Sequence, residues 1–200
     1  MKVRPIIPES EALGQRRALL QGGETLRGII FQSVDRAVIG ALGAPAIAEI
    51  KVDAGLGDQS FDAMAKYPLA DFLRFEDAAA KRMSAVVGGY DQAICRIGAA
   101  AVESFFDSIA GKTMALLAGK DPTRLLSAVP NGYGLLTSYG TRTWRQTGAN
   151  SGVFAFNGEF LGPIHNYGTF ETALRVVHGV DAKFVLEQQT VIDFSFRITW

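Results

Sequence analysis

From Ile192 to Trp200 the chain alternates without a break. Ile192, Phe194, Phe196, Ile198 and Trp200 fall on one side, and Asp193, Ser195, Arg197 and Thr199 on the other. Period-two alternation of this kind specifies a strand with one buried face and one solvated face. Such a strand needs a pairing partner and a layer to cover its apolar side. Residues 182–188 supply the nearest partner, and the short link between the two predicts an antiparallel hairpin. A second hairpin is expected earlier: residues 136–144 mix Thr, Tyr and Trp, Val153, Phe154 and Phe156 follow, and residues 148–152 form the loop.

Ahead of Gly132 the spacing is helical. Ile30, Val34, Val38 and Leu42 form a stripe over residues 26–42, which Gly43-Ala44-Pro45 ends. A short helix over 46–52 and a loop over 54–58 come next. Pro68 opens a helix with Phe72, Phe75, Ala79, Met83 and Val86 on one face, closed by Gly88-Gly89. Asp91 reads as the N-cap of a long helix carrying Ile94, Ile97, Ala101, Phe105 and Ile109. Gly111 is expected to break it, with residues 114–118 continuing helically. Asp121-Pro122 combines a capping side chain with proline at the first helical position, and that helix is expected to end near Pro130. One more helix, with Phe170, Leu174 and Val177, runs to Gly179 between the two hairpins. Helices followed by antiparallel strands define an α+β protein: an N-terminal helical layer packed on a four-stranded antiparallel sheet with a crossover helix. Pro5 and Pro8 make the start look peripheral, giving an N-terminal extension over 1–25 and a single ligand-binding-like α+β domain over 26–200.

Composition removes several functions. Lys plus Arg and Asp plus Glu each number 20, so the net charge is zero and the basic footprint of a nucleic-acid binder is missing. No run reaches the roughly 18 apolar residues of a membrane span. Pro5 and Pro8 interrupt any signal-peptide core, and a cytoplasmic protein is expected. Cys95 is the single cysteine and can form neither an internal disulfide nor a zinc site alone. Its position between Ile94 and Ile97 predicts an inert, buried thiol.

The catalytic signatures fail one by one. Gly111-Lys112-Thr113 ends like a phosphate-binding loop, but Phe106 stands where its leading glycine belongs, and a helix precedes instead of a strand. Gly55 and Gly57 begin a dinucleotide fingerprint that Ser60 does not complete. His165 and His178 stand 13 residues apart, about 20 Å along a continuous helix, too far to share a metal. His178 suits a helix C-terminus. His165 is expected at a helix entry, bonded to backbone or lining a cavity rim. Glu76, Asp77 and Asp181 are expected on solvated faces, and no acid–base pair stands out.

Several blocks in order carry a family resemblance: Arg27-Gly-Ile-Ile-Phe31, Tyr67-Pro-Leu-Ala-Asp-Phe-Leu-Arg74, Ala78-Ala-Ala80, Ile97-Gly98, Ser108-Ile-Ala-Gly111, Asp121-Pro-Thr-Arg-Leu-Leu126, Ser138-Tyr-Gly140 and Asp193-Phe-Ser-Phe-Arg-Ile-Thr-Trp200. From residue 26 to the end the chain resembles an uncharacterised paralogous family expanded in myxobacteria. More distantly it is similar to the superfamily of haem-nitric-oxide-binding domains, vinyl-reductase-type effector domains and TRAPP vesicle-tethering subunits. That resemblance implies an apolar cavity between helices and sheet, which relatives use for haem, aromatic effectors or acyl chains. Haem-holding relatives place an iron-binding histidine on a mid-chain helix. Residues 99–118 contain no histidine, and Tyr139-Gly-Thr-Arg142 departs from the Tyr-x-Ser-x-Arg element that grips propionates. No cofactor is therefore expected, haem included.

The function these features point to is a non-enzymatic sensory or ligand-binding domain. Its cavity would hold an apolar or aromatic small molecule, or an acyl chain, with Phe72, Phe75, Phe105, Tyr133 and His165 as candidate ligand-binding residues. The alternative is a protein-interaction module without a ligand, and a homodimer is expected in either case.

Overall fold

The computed structural model describes residues 3–107, 111–113, 116, 119 and 121–200. The elements in order are α1 (Glu9–Ala18), β1 (Thr25–Arg27), α2 (Gly28–Leu42), α3 (Ala46–Asp53), β2 (Lys66–Pro68), α4 (Leu69–Val87), α5 (Tyr90–Asp107), α6 (Pro122–Leu136), β3 (Thr141–Gly148), β4 (Ser151–Asn157), α7 (Gly162–His178), β5 (Lys183–Gln188) and β6 (Phe194–Thr199). The expected break at Gly111 finds residues 111–113 helical. Of the expected continuation over 114–118, Met114, Ala115, Leu117 and Ala118 lie outside the described residues.

The α+β reading holds. The sheet runs β3-β4-β6-β5, antiparallel throughout, and α7 crosses from β4 to β5. The alternating tail becomes β6, with Phe194, Phe196 and Ile198 buried beneath neighbours on both sides. Phe154 and Phe156 of β4 line up beside them. The Phe156 and Phe194 rings stack at 4.6 Å, and Phe170 of α7 meets Phe154 at 4.6 Å. The aromatic face of the sheet is thus covered by the crossover helix.

The other side of α7 packs against α5, and glycine sets how closely. A Cβ at Gly98 of α5 would overlap the His165 carbonyl, and one at Gly168 of α7 would overlap the Cys95 carbonyl. Each helix therefore presents bare backbone where the other arrives, and both axes approach without a spacer. Thr169 spans the seam, its hydroxyl within hydrogen-bond distance of the carbonyls of Gly98 and His165.

Several local expectations are corrected. Residues 25–27 are strand, paired with 66–68 in a two-stranded sheet, because Leu26 pairs with Tyr67 before the chain turns into α2. Asp91 sits inside the first turn of α5 instead of capping it. Asp121 caps α6 as expected, accepting from the Thr123 amide at 2.9 Å, but the helix continues through Pro130 to Leu136. The first hairpin turns within Ala149-Asn150, a shorter loop than the glycines suggested. The start of the chain is not peripheral: Val3, Ala12 and Leu13 are buried. Ser195 is only 8% exposed, because β6 is a central strand with Ala155 and Glu187 on either side.

Candidate functional site

Four helices line a half-open pocket of about 110 Å³, with Leu26, Thr137 and Leu161 at its edges. Ile29 and Ile30 come from α2, Val102 and Phe105 from α5, Leu125, Val129 and Tyr133 from α6, and His165, Thr169 and Ala173 from α7. Three residues singled out in the sequence, Phe105, Tyr133 and His165, therefore meet at one space. Phe72 stands behind it, its ring edge-on to His165 at 6.1 Å. Phe75 lies elsewhere, in the aromatic cluster of the helical layer against Phe61.

The polar groups at this space are few, and most are engaged. Tyr133 donates from its hydroxyl to Asn166 Oδ1 at 2.6 Å, and burial pushes its phenol above the usual range. Thr137 donates to the Tyr133 carbonyl and accepts from Arg142. Arg142 is buried against Glu159, with Nε and Nη2 at 2.9 and 2.5 Å from Oε2, and its guanidinium lies over the Tyr133 ring.

His165 is different. Its Nδ1 lies 2.6 Å from Glu76 Oε1, and both side chains are buried. The contact holds the ring in one orientation, with Nδ1 turned toward the carboxyl group of Glu76. Nε2 has no hydrogen-bond partner among the described residues. The expectation of a solvated Glu76 is corrected: it lies on the buried stripe of α4, one turn after Phe72 and one turn before Ala79 and Ala80. A carboxylate at a core-facing helical position was the signal for this pair. The same pattern marks α1, where Glu9 and Arg16 flank buried Ala12 and Leu13 on one face and form a buried ion pair. At the far end of α7, His178 is held below the ordinary imidazole range by burial, against the C-terminal location that would favour its charge. Burial pushes the Cys95 thiol up to about 11, in keeping with an inert sulfur.

The architecture that sets this cavity is the H-NOX fold. A variant of the H-NOX protein from K. algicida, solved in the Fe(II) unliganded state, superposes with a TM-score of 0.70 at 17% identity, covering 87% of this chain and 96% of that one. The H-NOX protein from S. oneidensis in its Fe(II)NO state gives 0.67 at 13% identity, over 86% and 97%. An oxygen-binding H-NOX domain related to soluble guanylate cyclases gives 0.65 at 10%, over 87% and 94%. Comparison with curated proteins gave no match. Residues 19–200 match the family described as protein of unknown function (DUF2378), and the chain belongs to that family.

These likenesses correct the expectation that no cofactor, and no haem, goes with this chain. Proteins of the same fold are solved with Fe(II), with NO and with oxygen, so a histidine missing from residues 99–118 does not dispose of haem. The donor chemistry at the cavity suits a metal: an imidazole backed by a carboxylate is the usual surrounding of a metal-bound histidine. The space suits it less. About 110 Å³ falls short of the ~150 Å³ apolar cavity that takes benzene, and a porphyrin is several times larger. A haem here would need the four helices to stand further apart. Among the described residues no three of His, Cys, Asp and Glu group around a metal position. Nor is any described helix long and apolar enough to cross a membrane.

Proposed function

We propose that this chain is a sensory, ligand-binding domain whose four-helix cavity takes a small, predominantly apolar molecule. The observation that carries the reading is the cavity itself: an apolar space kept open between packed helices, at the place where α7 joins the helical layer to the sheet. Interiors are normally filled to crystal density, and a void forfeits dispersion contacts along its whole lining. Occupancy would restore those contacts and bear directly on α7, which touches both halves of the molecule.

Dissolved xenon is the probe, followed by NMR of the methyl groups of Ile29, Val102, Val129 and Ala173. Saturable shifts confined to these methyls are expected. Ala173→Phe, which places a ring in the space, should abolish them. Unshifted methyls in the wild-type chain, or shifts that survive Ala173→Phe, would overturn the reading. Tryptophan fluorescence and thermal melts of the variant report whether it folds.

A further inference from the structure

The buried pairs Glu76–His165 and Arg142–Glu159 each tie together separate segments of the chain. Glu9 and Arg16 do not: both belong to α1, so their contact adds no bond between that helix and its neighbours. Both side chains are fully buried, yet Glu9 Oε2 and Arg16 Nε and Nη1 have no hydrogen-bond partner among the described residues. Docking α1 therefore strips water from two charges and replaces only part of what the water supplied. Undocking returns that water, and the pair leaves with the helix. We propose that α1 is a releasable latch on α4, α5 and α7, which undocks as a unit ahead of the rest of the fold and is held more loosely when Glu9 is ionised.

The surroundings of α1 suit a latch. Its ten residues fall short of the roughly 12–15 that an isolated helix needs, so it unwinds once free. It ends at Ala18, just ahead of residues 19–200 that match the family. In the link to β1, Gly22 and Gly23 hold positive φ with nothing within 4 Å of a new Cβ, an open hinge. The hold itself is apolar, through Ala12 and Leu13. Arg16 adds a close fit, its guanidinium resting where a Cβ on Gly162 of α7 would stand. Charge on Glu9 is favoured by Arg16 of its own helix and opposed by Glu76 of α4 and Asp91 of α5. Tyr90 of α5 and, through Glu76, His165 of α7 are also titratable groups on that side. Burial outweighs Arg16 and holds the docked carboxyl at about 7, against 4.5 when free. A neutral Glu9 thus favours the docked helix, and rising pH favours the released one. The latch is independent of the pocket between α2, α5, α6 and α7, and either can fail without the other.

Native-state hydrogen exchange on the full chain is the test, with each amide's rate compared with that of an unstructured chain at the same pH. In the wild type at about pH 7, the amides of residues 13–18 should share one opening constant, at least about tenfold larger than that of Phe196 and Ile198 in β6. Opening of α1 only together with β6 would overturn the latch, and so would graded constants that mark fraying from its start. From about pH 5.5 to 8.5 the α1 constant should rise about tenfold or more in the wild type and change far less in Glu9→Gln. An equal rise in both would overturn the part assigned to Glu9. Glu9→Leu combined with Arg16→Met replaces the pair by hydrocarbon and should lower the α1 constant about fivefold or more. An unchanged or larger constant in that variant would show that the pair holds the helix down, and would overturn the proposal. If the double variant does not fold, the wild-type and Glu9→Gln arms decide alone.

Discussion

The Glu76–His165 pair joins α4 to α7 through two side chains that water does not reach. Removing one member of such a pair leaves a buried polar atom of the other without its hydrogen bond, which costs about 1–3 kcal/mol. Glu76→Ala should lower stability by that order in urea unfolding. Because the two residues share one interaction, the double variant with His165→Ala should cost less than the sum of the singles. Glu9 offers a pH test. Burial raises its carboxyl from 4.5 to about 7, with the Arg16 guanidinium pulling the other way. A carboxyl with a higher pKa folded than unfolded takes up protons on folding. Its contribution is therefore fully present below pH 4.5 and lost as the pH rises through about 7. Wild type should lose stability relative to Glu9→Gln across that window; a difference constant between the two ends would refute the assignment. Cys95 should react with thiol reagents at pH 8 far more slowly than a free cysteine, since its thiolate is scarce there.

Among the elements, the α5–α7 seam is the most exacting. Gly98→Ala or Gly168→Ala would push a methyl group into the facing carbonyl, and neither backbone can yield without moving its helix. Overpacking of this sort costs about 1–3 kcal/mol. Both substitutions should lower the melting temperature, and both should disturb the cavity, because His165 and Thr169 sit on the same turns. Gly14 is the control. It lies in α1 with nothing within 4 Å of a new Cβ, so Gly14→Ala should be neutral or stabilising by up to about 1 kcal/mol. Equal melting temperatures for all three variants would show that the helices do not meet as described.

For the molecule as a whole, the last strand matters out of proportion to its position. β6 pairs with β4 on one side and β5 on the other, so deleting residues 194–200 leaves β5 unpaired and β4 with β3 as its one neighbour in the sheet. It also removes the Phe194, Phe196 and Ile198 side chains, each worth roughly 1.5–3 kcal/mol when buried. Total stability is about 5–15 kcal/mol, so the truncated chain should fail to fold cooperatively in a calorimetric scan. Phe196→Asp should cost several kcal/mol by burying an unpaired carboxylate. Ser195→Asp should cost less, on the order of 1 kcal/mol, set by its place opposite Glu187, where like charges face across the ladder. Reversal of that order would mean the strand presents its other face to the core.

Periodicity by itself determined the helices from α2 onward, the four strands of the main sheet and the α+β class, but not the β1–β2 pair. An amphipathic stripe or an alternating strand announces its own buried face through residues three, four or two apart. Of the candidate site residues Phe105 lies on such a stripe, whereas Tyr133 falls beyond the helix end that Pro130 suggests and His165 at a helix entry. The tertiary structure decided the rest, because each remaining feature is a meeting of distant segments. The contact between Glu76 and His165 spans 89 residues, and no local pattern encodes which carboxylate will face which imidazole. Glu76, Glu9 and Arg16 look like surface charges by residue type, and only the packing of α1, α4 and α7 takes water away from them. Gly98 and Gly168 look like flexible positions in the sequence. They become the closest approach of two helices only once α7 is folded between the sheet and α5. The cavity exists for the same reason: its walls come from four helices, and its volume is what their packing leaves unfilled.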